Sequence, residues 1–415
     1  MRPMKYPRFV TPCLRAALED TPVVLLNGPR QSGKSTLMQL MAKELGGVDY
    51  VTLDDATTLA AAQVDPMGFL SGFGGSLIID EVQRAPGLFL AIKRNVDRDR
   101  RAGRYLLTGS ANVLFLPQLA DSLAGRMEVL PLYPLSVSEL VGGSSTLVER
   151  LFQADLPIKS LCSGGAVHGG KSLEELLCMG GFPEVVGRSD PERRRRWFGS
   201  YLSTILQRDV RDLANIEGLT RLPDLLALLA ARSANLLNYA ELSRSLGLPQ
   251  STLKRYFILL QALFFIYPLS AWSDNLGKRL VKAPKIHLLD SGLLCHLLHL
   301  DVEGLRLDRP LFGHLLETFV VNECLKSLSW SKLDVSAFHY RNSAGTEVDL
   351  LLEGPNRRIV AIEVKASHSV TAADFKAIRE LAEELGDRFV RGIVFYCGDR
   401  LVPFSEQLAA VPLFG

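Results

Sequence analysis

Gly28, Gly33, Lys34 and Ser35 stand in the pattern G-x-x-x-x-G-K-S, directly behind the apolar run VVLLN at 23–27. Glycines at that spacing let backbone N–H groups converge on phosphate oxygens. A helix beginning at the lysine would point its positive end at the same anion. Lys34 would reach the outer phosphates and the Ser35 hydroxyl would ligate Mg2+, with Pro29, Arg30, Gln31, Ser32 and Thr36 completing the cradle. The bland alternative is a tight turn that holds nothing, and the position between a strand and a helix speaks against it.

The run SLIIDEVQ at 76–83 supplies two carboxylates at the end of a second apolar strand. Strands of a parallel sheet deliver their C-terminal residues to the edge where ligands bind. Asp80 is placed to hold Mg2+, and Glu81 to polarise a water for attack on a terminal phosphate. Alone the pair could be a solvated turn, but it follows the glycine loop by ~45 residues, where it would complete a hydrolytic site. RYLLTGSAN at 104–112 ends in Ser110 and Asn112, either of which could sense a terminal phosphate or simply close a strand. Arg126 precedes the apolar run MEVLPL. It is either a surface arginine or one offered to a neighbouring subunit's phosphates.

A second constellation lies near the C-terminus, in GTEVDLLLEGPNRRIVAIEVKAS at 345–367. Residues two apart on a strand share a face, so Glu363 and Lys365 point together while Ile362 and Val364 point into a core. Gly354–Pro355–Asn356 permits a hairpin that brings Asp349 alongside. Asp349 and Glu363 could share a divalent metal, with Lys365 orienting a water and Glu317 approaching from the preceding helix. Charge alternation on a surface hairpin would read the same way.

The elements that position these groups fall into three regions. At 415 residues the chain is expected to hold two or three domains, and its net charge of +2 leaves any attraction to nucleic acid to local patches. Six scattered cysteines without a CxxC pair point to a reducing compartment. The start lacks an apolar leader, and the most apolar stretch, 256–272, is interrupted by Gln261 and Pro268. A soluble cytoplasmic protein with no membrane span is therefore expected. Residues 1–140 alternate short apolar strands (23–27, 49–53, 76–80, 104–109, 127–132) with helical patterns, an α/β core on a parallel sheet. Residues 141–172 are rich in glycine and serine and read as a flexible connector. Residues 173–300 are helical. At 238–266 a helix, a turn at Gly247–Leu248–Pro249 and a second helix match a helix-turn-helix, with IYPLSAW as a wing. Residues 301–415 form a C-terminal α/β region.

Two basic patches follow. Residues 188–211 carry seven arginines against three acids, so Arg194, Arg195 and their neighbours could face a phosphate backbone or merely solvate a helix. Arg244, Lys254 and Arg255 belong to the helix-turn-helix, which could contact DNA or serve as a structural attachment.

The series LLNGPRQSGKST, VTLDD, DPMGFL, LIIDEVQRAP, LLTGSAN and LAGRMEVLPLYPLSVSEL resembles the prokaryotic AAA-type ATPases that carry a C-terminal domain of unknown function 4143. The similarity continues in order through GGFPEVV (180–186), YLSTILQRDVRDL (201–213) and GHLLETFVVNE (313–323). It implies an AAA-like core that binds ATP and Mg2+. The D…ExK spacing within a helix–strand–strand–strand–helix–strand order resembles the PD-(D/E)XK nuclease superfamily. Glu317, Asp349, Glu363 and Lys365 would then be either a working metal site or the relic of one kept for binding. The leading expectation is a homo-oligomeric ring, a hexamer among the options, that couples ATP hydrolysis to movement on or remodelling of DNA, branched DNA included. The competing expectations are a nucleotide-gated scaffold acting on a protein partner, and a defence nuclease.

Overall fold

Five short strands form the first layer: β1 (Val23–Asn27), β2 (Asp49–Thr52), β3 (Leu77–Asp80), β4 (Tyr105–Gly109) and β5 (Met127–Pro131). The computed structural model describes residues 6–110, 123–153, 155, 170–209 and 219–413. The strands are all parallel in the order β2-β3-β4-β1-β5. β1, β3 and β4 are buried along their whole length, which is why their sequences are continuously apolar rather than alternating. Val24, Leu26, Ile78 and Leu106 pack under α1 (Thr11–Asp20) and α2 (Lys34–Leu45). Val23, Leu25, Ile79 and Leu107 pack under α3 (Gly87–Arg98) on the other face.

The middle region contains α4 (Pro191–Thr204), α5 (Leu222–Ala231), α6 (Tyr239–Leu246) and α7 (Gln250–Ala262). Between and after them run β6 (Asn235–Leu236), β7 (Ile266–Leu269) and β8 (Lys285–Leu288), antiparallel in the order β6-β8-β7. The Asn238 side chain caps α6 by accepting from the Glu241 amide, and Gly247 (φ 65°) takes the left-handed conformation that ends it. Pro249 then opens α7. The helix, turn and helix fall where the sequence places them.

The last region is α8 (Arg309–Leu328), β9 (Ser336–Arg341), β10 (Glu347–Glu353), β11 (Ile359–Lys365), α9 (Lys376–Leu385), β12 (Phe389–Tyr396), β13 (Val402–Pro403) and β14 (Leu408–Pro412). Its sheet has the order β13-β14-β12-β11-β10-β9. β9, β10 and β11 pair antiparallel, while β11 pairs parallel with β12. Leu350, Leu352, Val360 and Ile362 face α8. Leu351, Ile359 and Ala361 face α9, so β11 is covered on both sides until its last residues.

Two expectations change. One apolar core runs from Val148 to Val411 and takes in α5, α7, α8 and the inner face of the C-terminal sheet. The regions expected at 173–300 and 301–415 are therefore one packed body. The connector expected at 141–172 begins as a helix, Leu147–Phe152, with Val148, Leu151 and Phe152 buried in that core. Its apolar residues sit at helical spacing, a signal the surrounding glycines and serines obscure. Trp330 Nε1 donates to the Ser145 carbonyl at 2.9 Å and Ser331 Oγ to Glu149 at 2.9 Å, fastening the same segment. The stretch expected as a wing packs against the C-terminal sheet: Ala271 bridges to His339 of β9, and Arg279, a few residues further on, pairs with Glu353 of β10 at 2.5 Å. Cys13, Cys178, Cys295, Cys324 and Cys397 are free. Among the described residues no helix is long and apolar enough to cross a membrane.

The N-terminal segment is tied in by Arg8, whose Nε meets Glu139 at 3.0 Å while its other nitrogens donate to the carbonyls of Ser32 (2.7 Å) and Tyr133 (2.6 Å). Glu139 is buried and the Arg8 side chain is only 9% exposed, so removing one strands the other's charge. Arg8→Met is expected to lower stability by ~3–5 kcal/mol in a urea or thermal melt, and a change below ~1 kcal/mol would contradict the assignment.

Candidate functional site

The glycine loop is shaped by its own backbone before any ligand is considered. A side chain at Gly28 would place its first carbon 2.1 Å from the Leu132 carbonyl oxygen, so only glycine fits. Gln31 (φ 63°) and Gly33 (φ 99°) take left-handed conformations that turn the chain into α2. No side chain caps α2, which leaves its first N–H groups directed at the loop's interior. Lys34 is buried, and its ammonium donates to the carbonyls of Gly28 and Pro29, both at 2.8 Å. Among the described residues the fully buried Ser32 hydroxyl has no hydrogen-bond partner. A donor-lined cradle with an orphaned hydroxyl and a lysine folded onto its own loop fits a triphosphate. A cavity of about 750 Å3 opens beside it, lined by Tyr6, Arg8, Thr36, Leu37, Leu40 and Arg188. Its apolar helix face suits a base.

The carboxylates stand opposite. Asp80 accepts from the Tyr50 hydroxyl (3.0 Å) and the Thr108 hydroxyl (2.5 Å), and the same Thr108 oxygen accepts the Glu81 amide (2.9 Å). Glu81 has φ 60°, a conformation costing a non-glycine residue ~1–3 kcal/mol that the surrounding contacts must hold. Its carboxylate accepts from Ser110 Oγ at 2.8 Å and from the Gln83 amide. Burial alone would raise its pKa, but Lys34, the bonds from Gln83 and Ser110, and Arg30 outweigh that and hold it below the usual carboxylate range. Glu81 is thus ionised and restrained. Ser35 and Asp80 are the groups that could hold Mg2+.

Arg126 lies at the other end of the sheet. Its carbonyl accepts from Val23 at the start of β1, whereas the glycine loop follows Asn27 at the end. Five strand residues separate the two by ~16 Å, and the guanidinium is paired with Asp97 at 2.5 Å. It does not belong to its own chain's cradle. Asn112 lies outside the described residues.

The helical region touches the loop directly. The Tyr201 hydroxyl, on α4, donates to the Arg30 carbonyl at 3.3 Å, and the Pro183 ring and Arg8 guanidinium stand over Gly33. Arg194 is half buried and donates to the Arg188 carbonyl at 2.6 Å, so of the two arginines singled out there only Arg195 is exposed. Arg244, Lys254 and Arg255 are all exposed, with the Lys254 ammonium 5.7 Å from the centre of the Tyr239 ring.

The C-terminal groups come together differently from expectation. Register pairs Leu350 with Ile362, which sets Asp349 beside Glu363, and Glu363 pairs with Lys365 at 2.9 Å. Yet the space between Glu317 and Asp349 holds the Lys285 ammonium, at 2.8 Å and 3.2 Å, with Glu347 at 2.7 Å. The other Asp349 oxygen accepts the Val364 amide at 3.0 Å. Among the described residues no group of three His, Cys, Asp or Glu side chains is arranged to hold a metal ion. The shared metal expected at Glu317, Asp349 and Glu363 does not fit this arrangement. Burial and the Asp349 charge push Glu363 up to about 7, against the pull of Lys365.

A five-stranded parallel sheet in this order, with a glycine loop after its first buried strand and an Asp-Glu pair ending β3, defines a P-loop protein of the AAA type. Family models agree: an AAA domain matches residues 20–141, a domain of unknown function 8612 matches 170–304, and a domain of unknown function 4143 matches 312–414. An uncharacterized protein of Mycobacterium tuberculosis is 32% identical over 402 residues, covering 96% of this chain and 82% of the relative. One from Haemophilus influenzae is 27% identical, over 53% of this chain and 51% of the relative. The chain belongs to the family of AAA-type proteins with a C-terminal domain of unknown function 4143. A solved RuvB variant of Thermotoga maritima aligns with a TM-score of 0.30 and 20% identity, over 62% of this chain and 88% of that one.

Several participants escaped the sequence. Thr108 and Gln83 each lie two residues from a named group, and a polar residue inside an apolar strand was the available signal for Thr108. Lys285 gave the same signal, a lysine opening the apolar stretch KIHLL. Arg8 and Tyr201 gave none. Thr108→Val keeps the shape but removes the hydroxyl that joins Asp80 to the Glu81 amide. It should cost ~1–3 kcal/mol of stability in urea denaturation. It should also weaken binding of Mg2+-nucleotide more than of metal-free nucleotide in calorimetry, and equal losses would refute the link to Asp80.

Proposed function

We propose that this chain is an ATP hydrolase whose nucleotide state governs a DNA-binding helix-turn-helix. The observation that carries the reading is the contact between the glycine loop and α4. Tyr201 meets Arg30 there, and α4 belongs to the packed body that bears α6 and α7. Whatever reshapes the loop is felt by that body.

In this reading Lys34 leaves the Gly28 and Pro29 carbonyls for the outer phosphates, and Ser35 and Asp80 would hold Mg2+, which would neutralise phosphate charge. Glu81, already ionised, exchanges Ser110 and Gln83 for the attacking water and accepts its proton as the water oxygen bonds to the terminal phosphorus and the bond from that phosphorus to the bridging oxygen breaks, releasing ADP and phosphate. Arg126 cannot serve its own cradle, which supports an assembly in which each site is completed by a neighbour's arginine. The antiparallel β6-β8-β7 sheet behind α6 and α7 supports reading the unit as a winged helix, with Arg244, Lys254 and Arg255 offered to phosphates.

Lys34→Ala should abolish nucleotide binding. Glu81→Gln should retain ATP while turnover falls about 100-fold or more; unchanged turnover would refute its role. Mixing Arg126→Ala with Lys34→Ala subunits should recover activity neither has alone if the arginine acts across an interface. ATP turnover measured with linear, single-stranded and branched DNA across a salt series tests the partner. Stimulation that fades steeply with salt and drops in Arg255→Glu supports DNA. Turnover indifferent to every DNA would instead favour a nucleotide-gated scaffold for a protein partner.

A further inference from the structure

The C-terminal sheet carries the D…ExK spacing that resembles a metal-dependent nuclease, but a cation is already in place. Lys285 enters from β8, a strand of the helix-turn-helix unit, and its ammonium lies within 3.2 Å of Asp349, 2.8 Å of Glu317 and 2.7 Å of Glu347. Its side chain is only 3% exposed. Burial alone would make the ammonium easier to deprotonate, but Glu317, Asp349 and Glu347 raise its pKa well above the ordinary lysine value, so it stays charged. Three carboxylates from two different elements thus converge on one cation that belongs to neither.

An ordinary structural salt bridge would need one acid. Two of the carboxylates here, Glu317 and Asp349, are among those that a D…ExK module would use to bridge a metal, and the ammonium occupies the space between them. The segment leading into β8 clamps the sheet a second time: Arg279 pairs with Glu353 and lies 5.3 Å from the Trp272 ring centre and 4.8 Å from that of Phe338. Arg357 and Arg388 both reach Asp274 at 2.8 Å.

We propose that Lys285 is a built-in replacement for the divalent cation, and that the C-terminal sheet is an ionic latch for β8 and its wing rather than a nuclease. The proposal does not depend on nucleotide binding. It explains why a chain can keep Asp349, Glu363 and Lys365 without assembling a metal site: carboxylates placed for a dication are stabilised by the ammonium, and the two modules move as one.

The test uses the full-length chain without nucleotide, with Mn2+ as probe. Wild type should melt at the same temperature in Mn2+ and in EDTA, and Mn2+ electron paramagnetic resonance should detect no binding that Asp349→Asn removes. Lys285→Met should melt ~5 °C or more below wild type, and Mn2+ should restore most of that loss. The rescue should disappear in Lys285→Met/Asp349→Asn, and Lys285→Arg should stay insensitive to Mn2+. Should Lys285→Met fail to fold, Lys285→Met/Glu347→Gln leaves less unpaired charge and should show the same Mn2+ rescue. Mn2+ binding or Mn2+-dependent DNA nicking by wild type that is lost in Asp349→Asn or Glu363→Ala overturns the proposal. So does a folded Lys285→Met that gains no affinity for Mn2+.

Discussion

Because β4 runs between β1 and β3, its last residues stand between the glycine loop and the Asp80–Glu81 pair. The contacts that join Asp80 and Glu81 to Thr108 and Ser110 follow from that order. Thr108 can donate to Asp80 and accept from the Glu81 amide only because β3 and β4 are neighbours, and Ser110 can restrain the Glu81 carboxylate only because the chain continues past β4 at the same edge. An acid that must be ionised in a buried place needs donors around it, or it takes up a proton instead. Here Lys34, Gln83, Ser110 and Arg30 supply that field without a ligand. The site is electrostatically prepared before it is filled.

The loop itself is held from two directions by residues far off in sequence. Arg8 reaches the Ser32 carbonyl and ties it to Glu139, while Tyr201 reaches the Arg30 carbonyl from α4. Both contacts are to backbone, so neither depends on which side chains the loop carries between its glycines. Such a loop cannot change shape privately. A displacement of a few tenths of an ångström at Arg30 or Ser32 strains a hydrogen bond to the helical body or to the N-terminal segment, and close-packed interiors pass such strain on.

How much of this was legible depends on the distance over which each feature is written. The cradle and the acidic pair are local patterns, each within a few residues of an apolar strand, and the strand ends fall within about a residue of those read from hydrophobicity. The helix-turn-helix is local too, since Asn238, Gly247 and Pro249 mark its boundaries by their own conformational preferences. What could not be read was pairing between segments. Nothing near Arg8 names Glu139, and nothing near Lys285 names Glu317, Glu347 and Asp349. The helix Leu147–Phe152 was hidden for another reason: composition averaged over 141–172, of which 154 and 156–169 lie outside the described residues, masked the apolar spacing of Val148, Leu151 and Phe152.

The shared core decides what kind of motion the molecule can make. A hinge near residue 300 would have to separate α5 and α7 from α8 and the inner face of the C-terminal sheet, exposing Leu225, Leu260, Leu316 and Ile362, all nearly fully buried. At ~1.5–3 kcal/mol for each such side chain, opening there would cost more than the ~1–3 kcal/mol of a typical coupling between sites. The contact at the glycine loop is of another kind: one hydroxyl, one proline ring, and a cavity already open beside α2. In the proposed reading, rearrangement driven by nucleotide would therefore concentrate between the AAA sheet and the body after it. The helical region and the C-terminal sheet would follow as a single lever, with Lys285 and Arg279 keeping its two halves in register.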